Sequence, residues 1–225
     1  MEENNVADIF QTIYREQGWH STESVSGWGS EFRNTERIIR ELPGLLRRFG
    51  VTSMLDIPCG DFNWMRHVDL GGIEYVGADI VPDLVTRNQA VYGAPGRHFM
   101  HLNLLNDPLP DTSLIFCRDC LFHFSHADVL RALATFAKTQ ARYLLTTTFV
   151  YRSYPRNMNI VTGQWTPINL EMPPYELDAP LALLVEGSNE NISYGPEIGT
   201  VPQSDRCLGL WDMTSIRERV QRQSD

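Results

Sequence analysis

The chain has 225 residues, 42% apolar and 21% charged, the balance of an ordinary globular protein with room for one hydrophobic core and little for a second. Its formal charge of −9 repels a phosphate backbone, so no nucleic-acid partner is expected. No stretch approaches the roughly twenty apolar residues that span a bilayer, and the acidic start Met1–Asn5 lacks a leader core, so no membrane partner and a cytoplasmic location are expected. The four cysteines are then expected as reduced thiols.

We read residues 1–225 as one unit with four parts: a helical cap (1–50), a ligand-binding core (51–149), an ordered lid or substrate loop (150–180), and closing strands with a helix (181–225). Val6, Ile9, Phe10, Ile13 and Tyr14 recur at helical spacing. A small, flexible stretch from Ser24 to Ser30 follows and carries Trp28. Asn34 or Thr35 is a candidate cap for a second helix that gathers Ile38, Ile39, Leu42, Leu45 and Leu46, with Pro43 predicted to kink or interrupt it. Arg37, Arg40, Arg47 and Arg48 read as its solvated face, an RNA edge being the lesser alternative.

Short apolar runs at 53–57, 73–79, 98–102, 112–117 and 143–149 then alternate with helical patterns near 61–70, 82–92 and 126–140. Buried strands between amphipathic helices predict an α/β fold: a doubly wound, mostly parallel sheet with helices on both faces. Residues 150–180 are rich in Pro, Asn, Tyr and Trp, and loops of that length are usually functional or disordered. Leu181–Glu186 and Cys207–Asp212 read as two late strands, before a short helix.

The most informative stretch is Met54-Leu-Asp-Ile-Pro-Cys-Gly-Asp-Phe-Asn-Trp64: a strand, a tight turn at Gly60, then a predicted helix. Strand ends are where open α/β sheets bind ligands. About twenty residues on stands Asp79, placed to accept both hydroxyls of a ribose. Asn103 follows the third strand on the side where an adenine amine would lie. The bland alternative is that any parallel sheet has acids and glycines at strand ends; three such features on successive strands favour a nucleoside site. A dinucleotide turn requires Gly-x-Gly-x-x-Gly, whereas this one has Pro58 and Phe62 around a lone Gly60, and Asp61 would repel phosphate. Acids and one glycine suit S-adenosylmethionine, whose ammonium, sulfonium and ribose diol are satisfied by carboxylates and carbonyls.

The stretch Leu55-Asp-Ile-Pro-Cys-Gly-Asp-Phe resembles the first motif of the class I S-adenosylmethionine-dependent methyltransferases, Leu-Asp-x-Gly-Cys-Gly-x-Gly, over about residues 50–150. The strings Pro-Cys-Gly-Asp-Phe-Asn-Trp, Cys-Arg-Asp-Cys-Leu, Thr-Thr-Thr-Phe and Leu-Gly-Leu-Trp extend the likeness to a bacterial group of that class, of small-molecule type. The resemblance implies a Rossmann-like seven-stranded sheet with an antiparallel last strand, for which Cys207–Asp212 is the candidate. It implies S-adenosylmethionine as cofactor, with S-adenosylhomocysteine as product, held by Ser30, Asp56, Pro58, Gly60, Asp61, Asp79, Ile80, Asn103, Leu104 and Arg118.

Methyl transfer is an in-line displacement, so an enzyme mainly positions the acceptor and takes its proton. His123, after the fourth strand, is the candidate base, with packing at a helix start as the alternative. Asp119 is the second catalytic candidate: it would orient His123, bind an amine, or only bond local backbone. Arg118 would meet an anion or, the favoured alternative, form an internal ion pair. Trp28, Trp64, Phe149, Trp165, Asn169 and Glu186 are candidate acceptor contacts, with Tyr151, Tyr175 and Trp211 behind them; for each aromatic, packing is the bland alternative. Cys59, Cys117, Cys120 and His123 have spacings reminiscent of zinc ligands, but alternate side chains on a strand end diverge, so no metal is expected. The expected activity is methylation of a small molecule (a natural-product intermediate, a sugar or a similar metabolite), oxygen slightly ahead of nitrogen, by a monomer or homodimer. The alternatives are a nicotinamide-dependent oxidoreductase and a non-catalytic nucleoside-binding or interaction protein.

Overall fold

The computed structural model describes residues 6–150, 156–186, 191–193, 200–202 and 206–224; Tyr151 lies outside them. Helices α1 (Val6–Arg15) and α2 (Phe32–Arg48) precede β1 (Ser53–Asp56). Then come β2 (Glu74–Asp79), α3 (Pro82–Tyr92), β3 (Arg97–His101), β4 (Leu114–Cys117), α4 (His126–Ala137) and β5 (Tyr143–Phe149). The chain continues through β6 (Ala182–Val185), β7 (Asn191–Ser193), β8 (Thr200–Pro202), β9 (Arg206–Asp212) and α5 (Met213–Ser224).

Seven strands form one sheet in the order β3-β2-β1-β4-β5-β9-β6, and β7 and β8 pair separately. Neighbours from β3 to β5 are parallel, as at Leu55↔Val76 and Leu55↔Ile115. Only β9 runs against them, pairing Thr146↔Gly209 with β5 and Leu184↔Leu208 with β6. This is the predicted Rossmann-like sheet, with the antiparallel strand where it was expected. β4 and β5 are buried at every position; β4 is apolar throughout, and β5 also buries Thr146, Thr147 and Thr148, whose hydroxyls are hydrogen-bonded. One face of the sheet packs under α4, α5 and the segment carrying Ile168, Leu170 and Tyr175. The other packs under α2, with Ile38, Leu42 and Leu46, and under Phe62, Trp64 and Met65.

Three local expectations need correction. No helix forms over 61–70: Phe62 takes a left-handed φ of 59° and only a single 3₁₀ turn, Met65–His67, follows. Phe62, Trp64, Met65 and Val68 are nevertheless buried, so the apolar spacing was real but is satisfied by an irregular turn. Pro43 does not interrupt α2, which runs unbroken for 17 residues from a cap at Glu31 rather than Asn34 or Thr35. Burial of Ile38, Leu42 and Leu46, each worth about 1.5–3 kcal/mol, outweighs one lost helical hydrogen bond. The polar loop between the late strands contains the β7–β8 pair.

Residues 156–180 contain neither helix nor strand, yet they are pinned from within. Asn157 Nδ2 donates to the carbonyls of Asn169 (2.9 Å) and Pro173 (2.8 Å), and the Phe149 amide donates to Ile168 O (2.8 Å). By contrast α1 buries no residue fully; its apolar face lies half-buried on the molecule. Among the described residues, no helix is long and apolar enough to cross a membrane.

Candidate functional site

The strand order reverses between β1 and β4, and such a switch point opens a crevice at the carboxyl ends of the strands. A cavity of about 520 Å3 lies there, reached by Asp56, Asp79, Asn103 and Arg118 from four strand ends. Its other walls are α1, through Phe10 and Tyr14, and the segment from Gly18 to Ser30.

At one end Gly60 closes the turn after β1 with φ +55°, a conformation that a side chain resists. A Cβ there would sit 2.2 Å from Ser26 Oγ. The Gly60 amide donates to Asp79 Oδ2 (3.0 Å), and its carbonyl accepts from Asn88 Nδ2 of α3 (2.7 Å). Asp79 Oδ1 accepts from the Val81 amide (3.0 Å). Burial pushes the Asp79 carboxyl up to about 6, against the pull of the Val81 and Gly60 amides. Asp56 beside it is pushed up to about 7 by burial, aided by the Asp79 charge and opposed by Tyr75, whose hydroxyl donates to Asp56 Oδ2 at 2.5 Å.

Asp61 ties the Ser24–Ser30 segment to this turn. Its carboxylate accepts from Ser24 Oγ (3.0 Å), Ser26 Oγ (3.3 Å) and the Val25 amide (3.0 Å), and its own amide donates to Ser26 Oγ (2.9 Å).

At the other end four ions pair with one another, all buried but the partly exposed Asp119. Arg118 Nε donates to both oxygens of Glu186 (3.1 and 3.2 Å), Nη2 donates to the Gly29 carbonyl (2.8 Å), and the guanidinium lies over Trp64. Arg206 bonds Asp119 through Nη2 and lies 3.1 Å from Glu186 through Nε. Gly29 is required by this crowding, since a Cβ would fall 2.6 Å from Asp119 Oδ2. Asp119 sits at φ +52° with its amide on Thr147 Oγ1 (2.9 Å). Burial alone would raise its pKa, but Arg118, Arg206 and His123 hold the carboxyl below the usual carboxylate range.

His123 lines the same end, with Nδ1 2.8 Å from the Gln164 carbonyl. Loss of hydration lowers it to about 4, despite the Gln164 carbonyl and the Asp119 charge. The ring is therefore neutral near pH 7. A carbonyl can only accept, so Nδ1 carries the hydrogen and Nε2 keeps the lone pair.

Of the sequence-predicted cofactor, catalytic and acceptor residues, Asn169, Glu186, Tyr175 and Trp211 do not line this cavity, Tyr151 lies outside the described residues, and the rest line it. Ser30, Asp56, Pro58, Gly60, Asp61, Asp79, Ile80, Asn103 and Leu104 gather at or beside the turn end, while Trp28, Trp64, Phe149 and Trp165 join the walls with Arg118, Asp119 and His123. Asn169 does not reach it, because its backbone is fixed to Asn157 and its Oδ1 accepts from the Glu171 amide (2.9 Å). Glu186 is a buried partner of two arginines rather than a wall residue. Arg118 adopts the internal pair, and Asp119 does not orient His123 by a hydrogen bond, since Gln164 does so. Tyr175 and Trp211 are core residues.

Among the described residues no cluster of three or more His, Cys, Asp and Glu is placed to hold a metal. Cys59 packs near Asn88 instead, and Cys117 and Cys120 are free, buried thiols. The sequence did not announce the contribution of α1, Trp19, Ser26 or Arg206. Helical spacing marks an apolar face on α1 but not what that face covers.

No family model matches the sequence, and no curated protein does. Solved structures share the fold. The N-methyltransferase NodS from Bradyrhizobium japonicum WM9, in complex with S-adenosyl-l-homocysteine, superposes with a TM-score of 0.61 at 12% identity, over 91% of this chain and 97% of that one. Magnesium protoporphyrin IX methyltransferase (ChlM) from Synechocystis PCC 6803, with S-adenosylmethionine bound, gives 0.59 at 13% identity, over 93% and 98%. The CMeT domain of the citrinin polyketide synthase gives 0.53 at 12%, over 77% and 51%. The chain spans 42% of human N-acetylserotonin methyltransferase and 59% of a putative sarcosine dimethylglycine methyltransferase from Galdieria sulphuraria. The fold is therefore that of the class I methyltransferases.

Proposed function

We propose that the chain is an S-adenosylmethionine-dependent methyltransferase acting on a small molecule, with oxygen favoured over nitrogen as the accepting atom. One observation carries this: buried carboxyls and the Gly60 turn meet at one end of a cavity whose other end holds a neutral histidine. The turn end fits a cationic nucleoside. It offers Asp56 and Asp79 as counter-charges, and the Gly60 turn, against which Ser26 packs closely, brings bare main chain to the cavity wall. Asp79 would hold the ribose, Asn103, Ile80 and Leu104 would flank the adenine, and Asp56, Pro58, Asp61 and Ser30 would surround the amino-acid portion. When bound, this cofactor supplies a methyl group on a sulfonium.

The residues of the chain do the rest. His123 Nε2 accepts the proton of the acceptor's hydroxyl. A base as weak as this one takes that proton only in concert with bond formation at the oxygen. Asp119 and Arg118 are positioning residues that hold the β4 end against Gly29. Trp28, Trp64, Phe149 and Trp165 exclude water. The oxidoreductase alternative gains no support, because the chain after Gly60 forms an irregular turn rather than a helix whose N-terminus could hold a pyrophosphate. Four buried free thiols are in keeping with a cytoplasmic location.

Calorimetric titration with S-adenosylhomocysteine tests the proposal. Wild type is expected to bind, and Asp79→Asn, which keeps the shape but loses the charge, to bind about 10- to 100-fold more weakly. Absence of binding by wild type would sink the cofactor assignment.

A further inference from the structure

The end of the cavity beyond the turn is walled by rings. Trp19 lies against His123 with centroids 4.4 Å apart and planes at 38°. Phe122 meets His123 edge-on at 4.6 Å and Trp165 at 5.8 Å, and Phe149 meets Trp165 at 90° and 6.0 Å. All five line the cavity. Aromatic faces and edges arranged at such distances accept another flat ring in offset or edge-to-face contact.

Among the described residues, the charges at this end are already paired. Asp119 and Arg206 both reach the cavity, but they bond each other, and each has a further partner in Thr147 or Glu186. An aromatic cage by itself also attracts cations. Here, among the described residues, the carboxylate near it, Asp119, is already shared between two guanidinium groups. A polyhydroxylated ring is disfavoured for another reason: each hydroxyl buried among rings without a partner costs free energy. Among the described residues, the lone pair of His123 Nε2 is one acceptor at hand for a hydroxyl.

We propose that this end binds an uncharged, planar aromatic molecule whose hydroxyl donates to His123 Nε2. The proposal deepens the methyltransferase assignment and rests on it only for the fate of that hydroxyl.

The full chain would be titrated by calorimetry and ligand-detected NMR with 2-naphthol, naphthalene, decahydro-2-naphthol, methyl glucoside and 2-naphthylmethylamine. Each probe would be tried with and without saturating S-adenosylhomocysteine. We expect 2-naphthol to bind about tenfold or more tightly than each of the others, because ring contacts and the single hydrogen bond are each worth about that factor. Trp19→Leu should lose about tenfold for 2-naphthol and leave S-adenosylhomocysteine affinity within about twofold. Trp19→Phe, which keeps a ring in the wall, should bind close to wild type and serves if Trp19→Leu does not fold. Equal or tighter binding of the glucoside, the amine or the saturated alcohol overturns the proposal, as does undiminished 2-naphthol binding by Trp19→Leu. The two assignments fail separately: 2-naphthol binding without S-adenosylhomocysteine binding would remove the cofactor and keep the aromatic site, and the reverse result would do the opposite.

Discussion

The two ends of the cavity are built by opposite means. At the turn end, carboxyls stand without a cation and are held by backbone amides and a tyrosine hydroxyl, so their charge is suppressed by burial. At the other end, among the described residues, Arg118, Arg206, Asp119 and Glu186 neutralise one another, and their burial is tolerated because they are paired. An unanswered acid is poised to receive a cation, whereas a neutralised cluster presents only shape and its remaining hydrogen-bonding atoms. On the proposed function, the first end would take the charged part of the bound molecules and the second the uncharged part.

Breaking the neutral end should have the largest effect. Arg118→Met leaves two carboxylates with one guanidinium, a loss of about 3–5 kcal/mol by analogy with broken buried pairs, or on the order of 10 °C in Tm. Adding Glu186→Leu restores charge balance, and the double variant should recover much of the loss in thermal unfolding. If Arg118→Met unfolds at the wild-type temperature, the cluster is not a structural unit. The next effect sharpens the turn end. Asp61→Ala removes the acceptor for Ser24, Val25 and Ser26, worth about 1.5–3 kcal/mol at that contact. It should weaken S-adenosylhomocysteine binding about tenfold and open 20–31 to limited proteolysis; unchanged cleavage would show that the segment is held elsewhere.

The smallest effect is a change of slope with pH. Asp56 has a folded pKa near 7 against an ordinary value of 3.8, so its contribution to stability is full below pH 4 and is lost as pH rises to about 7. His123 acts oppositely in part of that window, because its lowered pKa denies the fold a proton that the unfolded chain binds between about pH 4 and 6.5. A difference measurement removes this cancellation. Asp56→Asn should gain stability relative to wild type between pH 4 and 7, by at most about 1.4 kcal/mol per pH unit. A flat difference in urea midpoints would mean that Asp56 is ionised throughout.

Much of this architecture can be read from the chain, and the failures have a common cause. Strands β4 and β5 are legible because a strand covered on both faces is dominated by apolar and β-branched residues without charge. Asp79, Gly60, Asn103 and His123 are legible because topology brings strand ends to one crevice, so position alone nominates them. Glu186 and Asn169 occupy equally promising positions in sequence. Whether a strand-end acid faces a cavity or an arginine depends here on Arg118, 68 residues away, and no local pattern carries that. The misread stretch 61–70 fails for a related reason. Phe62, Trp64, Met65 and Val68 are spaced for a helix, but Asn63 is captured by Glu23 Oε1 (2.7 Å) and the Ser30 carbonyl (3.1 Å), and a left-handed Phe62 turns the chain aside.

The ion cluster also bears on when the cavity is made. Its bonds join residues 68, 87 and 89 positions apart, so it forms only after the sheet has brought β4, β6 and β9 together with the Gly29 segment. Closing loops of that length precedes any reward from the contact. The wall it supports is thus completed late in folding, and substitutions within it should speed unfolding while leaving the folding rate nearly untouched.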